Sequence, residues 1–76
     1  MNTLAVNNHL ASDVKCTEDE LIVSLKDGRV LHLPLFWFPK LLHATQSQRN
    51  DFEILGDGEG VHWDEIDEDL SVKGFL

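Results

Sequence analysis

Basic residues are scarce in this 76-residue chain: six Lys and Arg stand against fourteen Asp and Glu, for a net charge of -8. None of the six lies between Asp51 and Asp69, where nine acidic residues fall. Nucleic-acid binding needs several Lys or Arg on one surface, so direct binding of nucleic acid is not expected. Cysteine is nearly absent as well. Cys16 stands alone, which rules out a disulfide within the chain, and as a small hydrophobe in a strand it suits a reducing, cytoplasmic setting. No apolar run approaches a membrane span, and "MNTLAVNNHLASD" lacks the basic flank and apolar stretch of a leader. The expectation is a soluble cytoplasmic protein with no membrane contact.

What remains is the composition of a folded globule, 42% apolar and 26% charged, and the length allows one domain over residues 1–76. So small a core leaves little surplus stability, and a partner subunit is a common remedy.

Residues 1 to 9 read as a loose or edge segment and Ala11 to Thr17 as a strand, followed by the acidic turn "EDE". The clearest element is the hairpin "LIVSLKDGRVLHLPL", Leu21 to Leu35. A two-residue Asp27-Gly28 turn would set Val23 against His32 and split the aliphatic residues between two faces. A three-residue loop, Lys26-Asp27-Gly28, pairs Leu25 with Arg29, Val23 with Leu31 and Leu21 with Leu33. That register gathers five aliphatic side chains on one face and gives Gly28 the left-handed position of a bulged turn, so it is the one predicted.

The two prolines mark boundaries. Pro34 suits a strand end or edge, and Pro39 suits the first turn of a helix, where its missing amide hydrogen has no partner to lose. Phe38, Leu41, Leu42 and Thr45 share a helical face over about residues 39 to 45. The polar run after it predicts a second helical turn over Gln46 to Asn50. "DFEIL" reads as a strand with Phe52 and Ile54 inward, "GDGEG" as a turn and "VHW" as the returning strand of a second hairpin. Two short helical pieces are expected after it, around Asp64 to Ile66 and from about Ser71 onward, with Asp67, Asp69 or Ser71 as caps. The predicted fold class is α+β: a small antiparallel sheet with a central hairpin, one or two short helices and a C-terminal helical turn.

The segment "GVHWDEIDEDLSV" raises the question of chemistry, since five of the six residues from Asp64 to Asp69 are acidic. Neither Asp57 nor Asp64 starts a calcium loop of the EF-hand kind, because His62 or Asp69 then falls where glycine is required. His62 has no local H-x-x-x-H or C-x-x-C companion for zinc. A divalent site would have to assemble in space from His62, Asp64, Asp67 and Asp69, and a small metal-dependent hydrolase using that segment is one alternative reading. Capping and solvation are the ordinary roles for such acids. Cys16, Ser12, Ser24, Ser47 and Ser71 lack a nucleophile elbow, and "GDGEG" lacks the lysine and helix of a phosphate loop. His9, His32 and His43 are scattered. No cofactor is expected.

"LPLFWFP" sets three aromatics in a row, and alternation cannot bury them all in a core this small. Phe36, Trp37 and Phe38, with a half-buried Trp63, are therefore the candidate interaction residues, and a homo-oligomer is expected.

Taken together, "DGRVLHLPLFWFPKLLHAT" and "GEGVHWDEIDEDLSVKGFL" resemble the family known as domain of unknown function 2442. That family joins a DGR turn to a Pro-aromatic strand end, a helix ending in Ala-Thr, and a Trp-bearing segment with an acidic pair. Asp64 stands where proline is common and Phe75 where leucine is common. The resemblance implies a small α+β domain without known catalytic residues. It also implies an accessory role, since members occur alone or ahead of a helix-turn-helix domain, and some resemble one half of a toxin–antitoxin-like pair. A chain ending at Leu76 is expected to lack the DNA-reading domain. The function expected is thus a non-enzymatic protein-interaction or accessory module, antitoxin-like or regulatory and paired with a basic protein. A structural homo-oligomeric domain is the other alternative.

Overall fold

Chain parity around Gly28 decides the first sheet. The computed structural model describes residues 9 to 75, so the expected loose segment, apart from His9, lies outside the described residues. β1 (Ala11–Cys16), β2 (Glu20–Leu25) and β3 (Val30–Pro34) form an antiparallel sheet in the order β1-β2-β3. Leu21 pairs with Leu33 and Val23 with Leu31, the register predicted for a three-residue loop. The loop closes through Leu25 N–H to Arg29 O at 2.8 Å and Gly28 N–H to Leu25 O at 3.1 Å, with Gly28 at φ 99°. Asp27 accepts from the backbone N–H and the Nε of Arg29, and this holds its carboxyl below the usual range. The inward face carries Val14, Cys16, Leu21, Val23, Leu25 and Leu33, all buried.

After Pro34 the buried Leu35 turns the chain into a 3-10 turn, Leu35–Trp37. The helical region then divides into α1 (Pro39–Leu42), with Pro39 in its first turn, and α2 (Gln46–Asn50). The break has a local cause. Thr45 Oγ1 accepts from Gln48 N–H at 3.1 Å and Gln48 Oε1 accepts from Thr45 N–H at 2.9 Å, a reciprocal capping box that starts a new helix. Arg49 reaches back to the end of α1, its Nε donating to Leu41 O at 2.9 Å and its Nη2 to Leu42 O at 2.8 Å. Leu42 O, at the end of a four-residue helix, gains its donor in this way, and Leu41 O gains a second one beside Ala44 N–H.

A second antiparallel sheet follows in the order β4-β5-β6, from β4 (Glu53–Leu55), β5 (Gly60–Trp63) and β6 (Glu68–Ser71). The sheet is therefore two sheets, and β6 is a correction. Asp64 to Asp67 form a turn rather than a helical piece, and Asp69 lies inside a strand rather than capping a helix. Asp67 occupies the left-handed region at φ 52° and reverses the chain between β5 and β6. The expected C-terminal helical turn is present as a 3-10 turn, Val72–Phe75.

One core joins the sheets. Val61 and Trp63 from β5 meet Leu21, Val23, Leu35, Leu41 and Val72, each less than 2% exposed. Burying a Val or Leu side chain of this kind contributes about 1.5–3 kcal/mol. The sheets also touch through backbone: Ala11 N–H donates to Gly58 O at 2.9 Å. Gly58 sits at φ 115°, and a Cβ there would lie 2.7 Å from Ala11 N and crowd Ala11 O. The α+β class stands, with the helices between the two sheets in sequence.

Candidate functional site

Alternation along β5 sends Val61 and Trp63 into the core and His62 to the outer face of the second sheet. Register then places a carboxylate on each side of the imidazole, because Glu53 of β4 and Asp69 of β6 both pair with His62. Asp69 Oδ1 lies 2.5 Å from His62 Nδ1, and Asp64 Oδ1 lies 3.4 Å from His62 Nε2. Only the imidazolium can donate from both nitrogens, so Asp69 first and Asp64 second raise the pKa of His62 above its ordinary value. Asp51, Phe52, Glu53, His62 and Asp64 line an open depression of about 420 Å³ beside this row.

The four residues expected to hold a metal do not converge. Asp64 and Asp69 take opposite nitrogens of the ring, so their oxygens lie on different sides of His62. Asp67 stays in the turn, where its carbonyl accepts from Lys40 Nζ at 2.8 Å. Among the described residues, no group of three or more His, Cys, Asp or Glu is arranged to hold an ion. Asp51 and Glu53 belong to the acidic stretch from Asp51 to Asp69 but are not among the residues singled out as candidates from the sequence. With Phe52 and Ile54 inward, alternation alone placed Glu53 on the outer face.

The aromatic candidates separate. Phe36 and Trp37, in the 3-10 turn after β3, are 68% and 59% exposed. Phe38 is half-buried against Phe75, edge to face at 5.9 Å between centroids. Trp63, expected to be half-buried and part of an interaction surface, is instead fully buried. Its indole N–H donates to Arg49 O at 3.0 Å, and Phe52 packs 6.0 Å from its ring. The β5 pleat turns it inward, and the N–H finds its partner on α2. Burial pushes the Cys16 thiol up in pKa, which withholds it from nucleophilic work. Among the described residues no helix is long and apolar enough to cross a membrane.

No curated protein matches the chain. A crystal structure of a protein of unknown function from Rhodospirillum rubrum ATCC 11170 is similar, with a TM-score of 0.75 and 33% identity over 86% of this chain and 81% of that one. The family model described as protein of unknown function (DUF2442) matches residues 11–76, which include both sheets and the helices between them, and the chain belongs to that family.

Proposed function

We propose that the chain is a non-enzymatic protein-interaction module, the acidic accessory or antitoxin-like half of a pair, which meets a basic protein through the outer face of its second sheet. One observation carries the reading. Asp51, Glu53, Asp64 and Asp69 surround a single histidine, and no Lys or Arg among the described residues forms an ion pair with any of them. Such a field speeds encounter with a basic surface and disfavours acidic ones. A divalent-metal hydrolase at the same residues needs ligands that share one point, and carboxylates on opposite sides of His62 support binding over hydrolysis.

The test compares capture of partners from the native cell by the wild-type chain and by an E53Q/D64N/D69N variant, each at low and high salt. A basic protein held by the wild type, released by salt and lost by the variant is the expected result. A partner that the variant retains in full would remove the acidic face from the reading.

A further inference from the structure

We propose that β3 is a self-complementary edge through which two copies of the chain join, antiparallel and related by a two-fold axis at His32, into one continuous six-stranded sheet. The inference rests on the first sheet and is independent of the acidic face.

The other strand edges are covered or blunted. Along β1, Gln46 Nε2 donates to Cys16 O at 2.8 Å, Ala11 is bonded to Gly58, and the ladder is bulged between Ala11 and Asp13. The second sheet has short edges that carry acids, Glu53 on β4 and Glu68 and Asp69 on β6. Short, charged and bulged edges are the devices that prevent strand addition. β3 reads Val30-Leu31-His32-Leu33-Pro34 and has no Lys, Arg, Asp or Glu.

Parity fixes which main-chain groups face outward. Leu25 N–H bonds Arg29 O at one end of the β2–β3 ladder, and Leu35 N–H bonds Asp19 O at 2.8 Å at the other. Bonded pairs alternate between these ends, so Leu31 and Leu33 bond to β2 while Val30, His32 and Pro34 face away. Among the described residues no hydrogen bond reaches the main-chain groups of those three. Pro34 has no amide hydrogen to offer, so the two-fold pairing leaves one acceptor in each copy, the Val30 carbonyl, without a strand partner. His32 of each copy exchanges two bonds with its counterpart. Each Val30 N–H then meets the Pro34 carbonyl of the other copy, and the edge is in contact from end to end.

Charge and area both favour a second copy. This edge is uncharged on an acidic molecule, and like charges beyond a Debye length of about 8 Å are screened at physiological salt. The same pairing runs each Leu35–Trp37 turn beside the other copy's Lys26-to-Arg29 loop. At roughly 150–250 Å² per buried aromatic, Phe36 and Trp37 leave on the order of 250 Å² uncovered in each copy. Two copies therefore have about 500 Å² of aromatic surface to bury before the strands are counted. With the strands added, that puts the contact near the small end of the range of about 1,200–2,000 Å² for stable interfaces.

Sedimentation equilibrium over a micromolar range tests the association, with circular dichroism to confirm folding of each variant. The wild type is expected at twice the 8.6 kDa chain mass. V30K, which places a lysine on the edge, is expected to weaken the dimer at least tenfold. H32C gives the register. Residues opposed in a bonded antiparallel pair lie about 5.5 Å apart at Cα, within disulfide reach, whereas a shift of the pairing by one residue takes them beyond it. Air oxidation of H32C should therefore yield a covalent dimer, and D13C on β1 should not. A monomeric wild type, a dimer indifferent to V30K, or an H32C chain that does not cross-link each overturns the proposal. So does a monomer whose Val30 and His32 amides are protected from hydrogen exchange, since the edge would then be covered within one chain.

Discussion

Replacing Trp63 by Phe tests whether one indole ties the two sheets together. Trp63 is fully buried and its N–H donates to Arg49 O, so the substitution removes a hydrogen bond and some volume while keeping an aromatic ring in place. Loss of the bond, with a part-buried carbonyl left behind, costs about 1–2 kcal/mol. The smaller ring leaves roughly 40 Å³ unfilled, and at about 24 cal/mol per Å³ this adds about 1 kcal/mol. The sum, about 2–3 kcal/mol, is large beside the roughly 4–11 kcal/mol expected of 76 residues at about 0.05–0.15 kcal/mol each. Urea unfolding followed by far-UV circular dichroism is the assay, because Trp63 is itself a fluorophore. The midpoint should fall with little change in slope, and the melting temperature should drop by about 10–20 °C. A loss under about 0.5 kcal/mol would refute the reasoning, since it would mean that the indole neither fills the core nor needs its partner.

Glycine substitutions should separate strain from collision. G28A meets nothing within 4 Å and should cost only the backbone strain of about 1 kcal/mol, whereas G58A also drives a Cβ into Ala11 and should cost at least twice that by thermal melting. R49A removes both side-chain bonds to the end of α1 and should destabilise by about 2 kcal/mol in urea, with R49K recovering little because a lysine has no fork. His62 should make stability depend on pH. Its folded-state pKa is raised, so its contribution is complete below about pH 6.5 and is lost as pH rises through the folded value. Unfolding curves across that window should flatten in D69N more than in D64N, and an unchanged pH profile in D69N would contradict the pairing.

The hairpin was legible because both candidate loops could be scored against one demand, that leucines share a face. Pro39 and the polar run after Thr45 likewise marked the helices, although the break between them depended on Gln48 reaching back to Thr45, a detail of side-chain rotamers. β6 was hidden by its composition. Of Glu68 to Ser71 only Leu70 is apolar, and one inward residue makes no period to detect. Its partner is β5, and without that pairing five acids in six positions read as turn and caps. The burial of Trp63 depends on a carbonyl fourteen residues away, and local pattern carries no trace of it. For the same reason the His62–Asp69 contact, made across a turn at an aspartate with positive φ, lay beyond spacing rules.

Cys16 gives the fold a property useful to the experimenter. It is 5% exposed at the end of β1, with a thiol whose pKa burial pushes up. An alkylating reagent attacks the thiolate, so access and ionisation both hold the reaction back in the folded chain. Reaching the sulfur requires β1 to leave β2 and the Gln46 side chain to release the Cys16 carbonyl. When such openings reclose faster than the reagent reacts, the alkylation rate divided by that of a free thiol is the fraction of time the first sheet spends open. The natural sequence thus carries a single-site clock for its own opening, readable by mass as a stepwise gain of one adduct per chain.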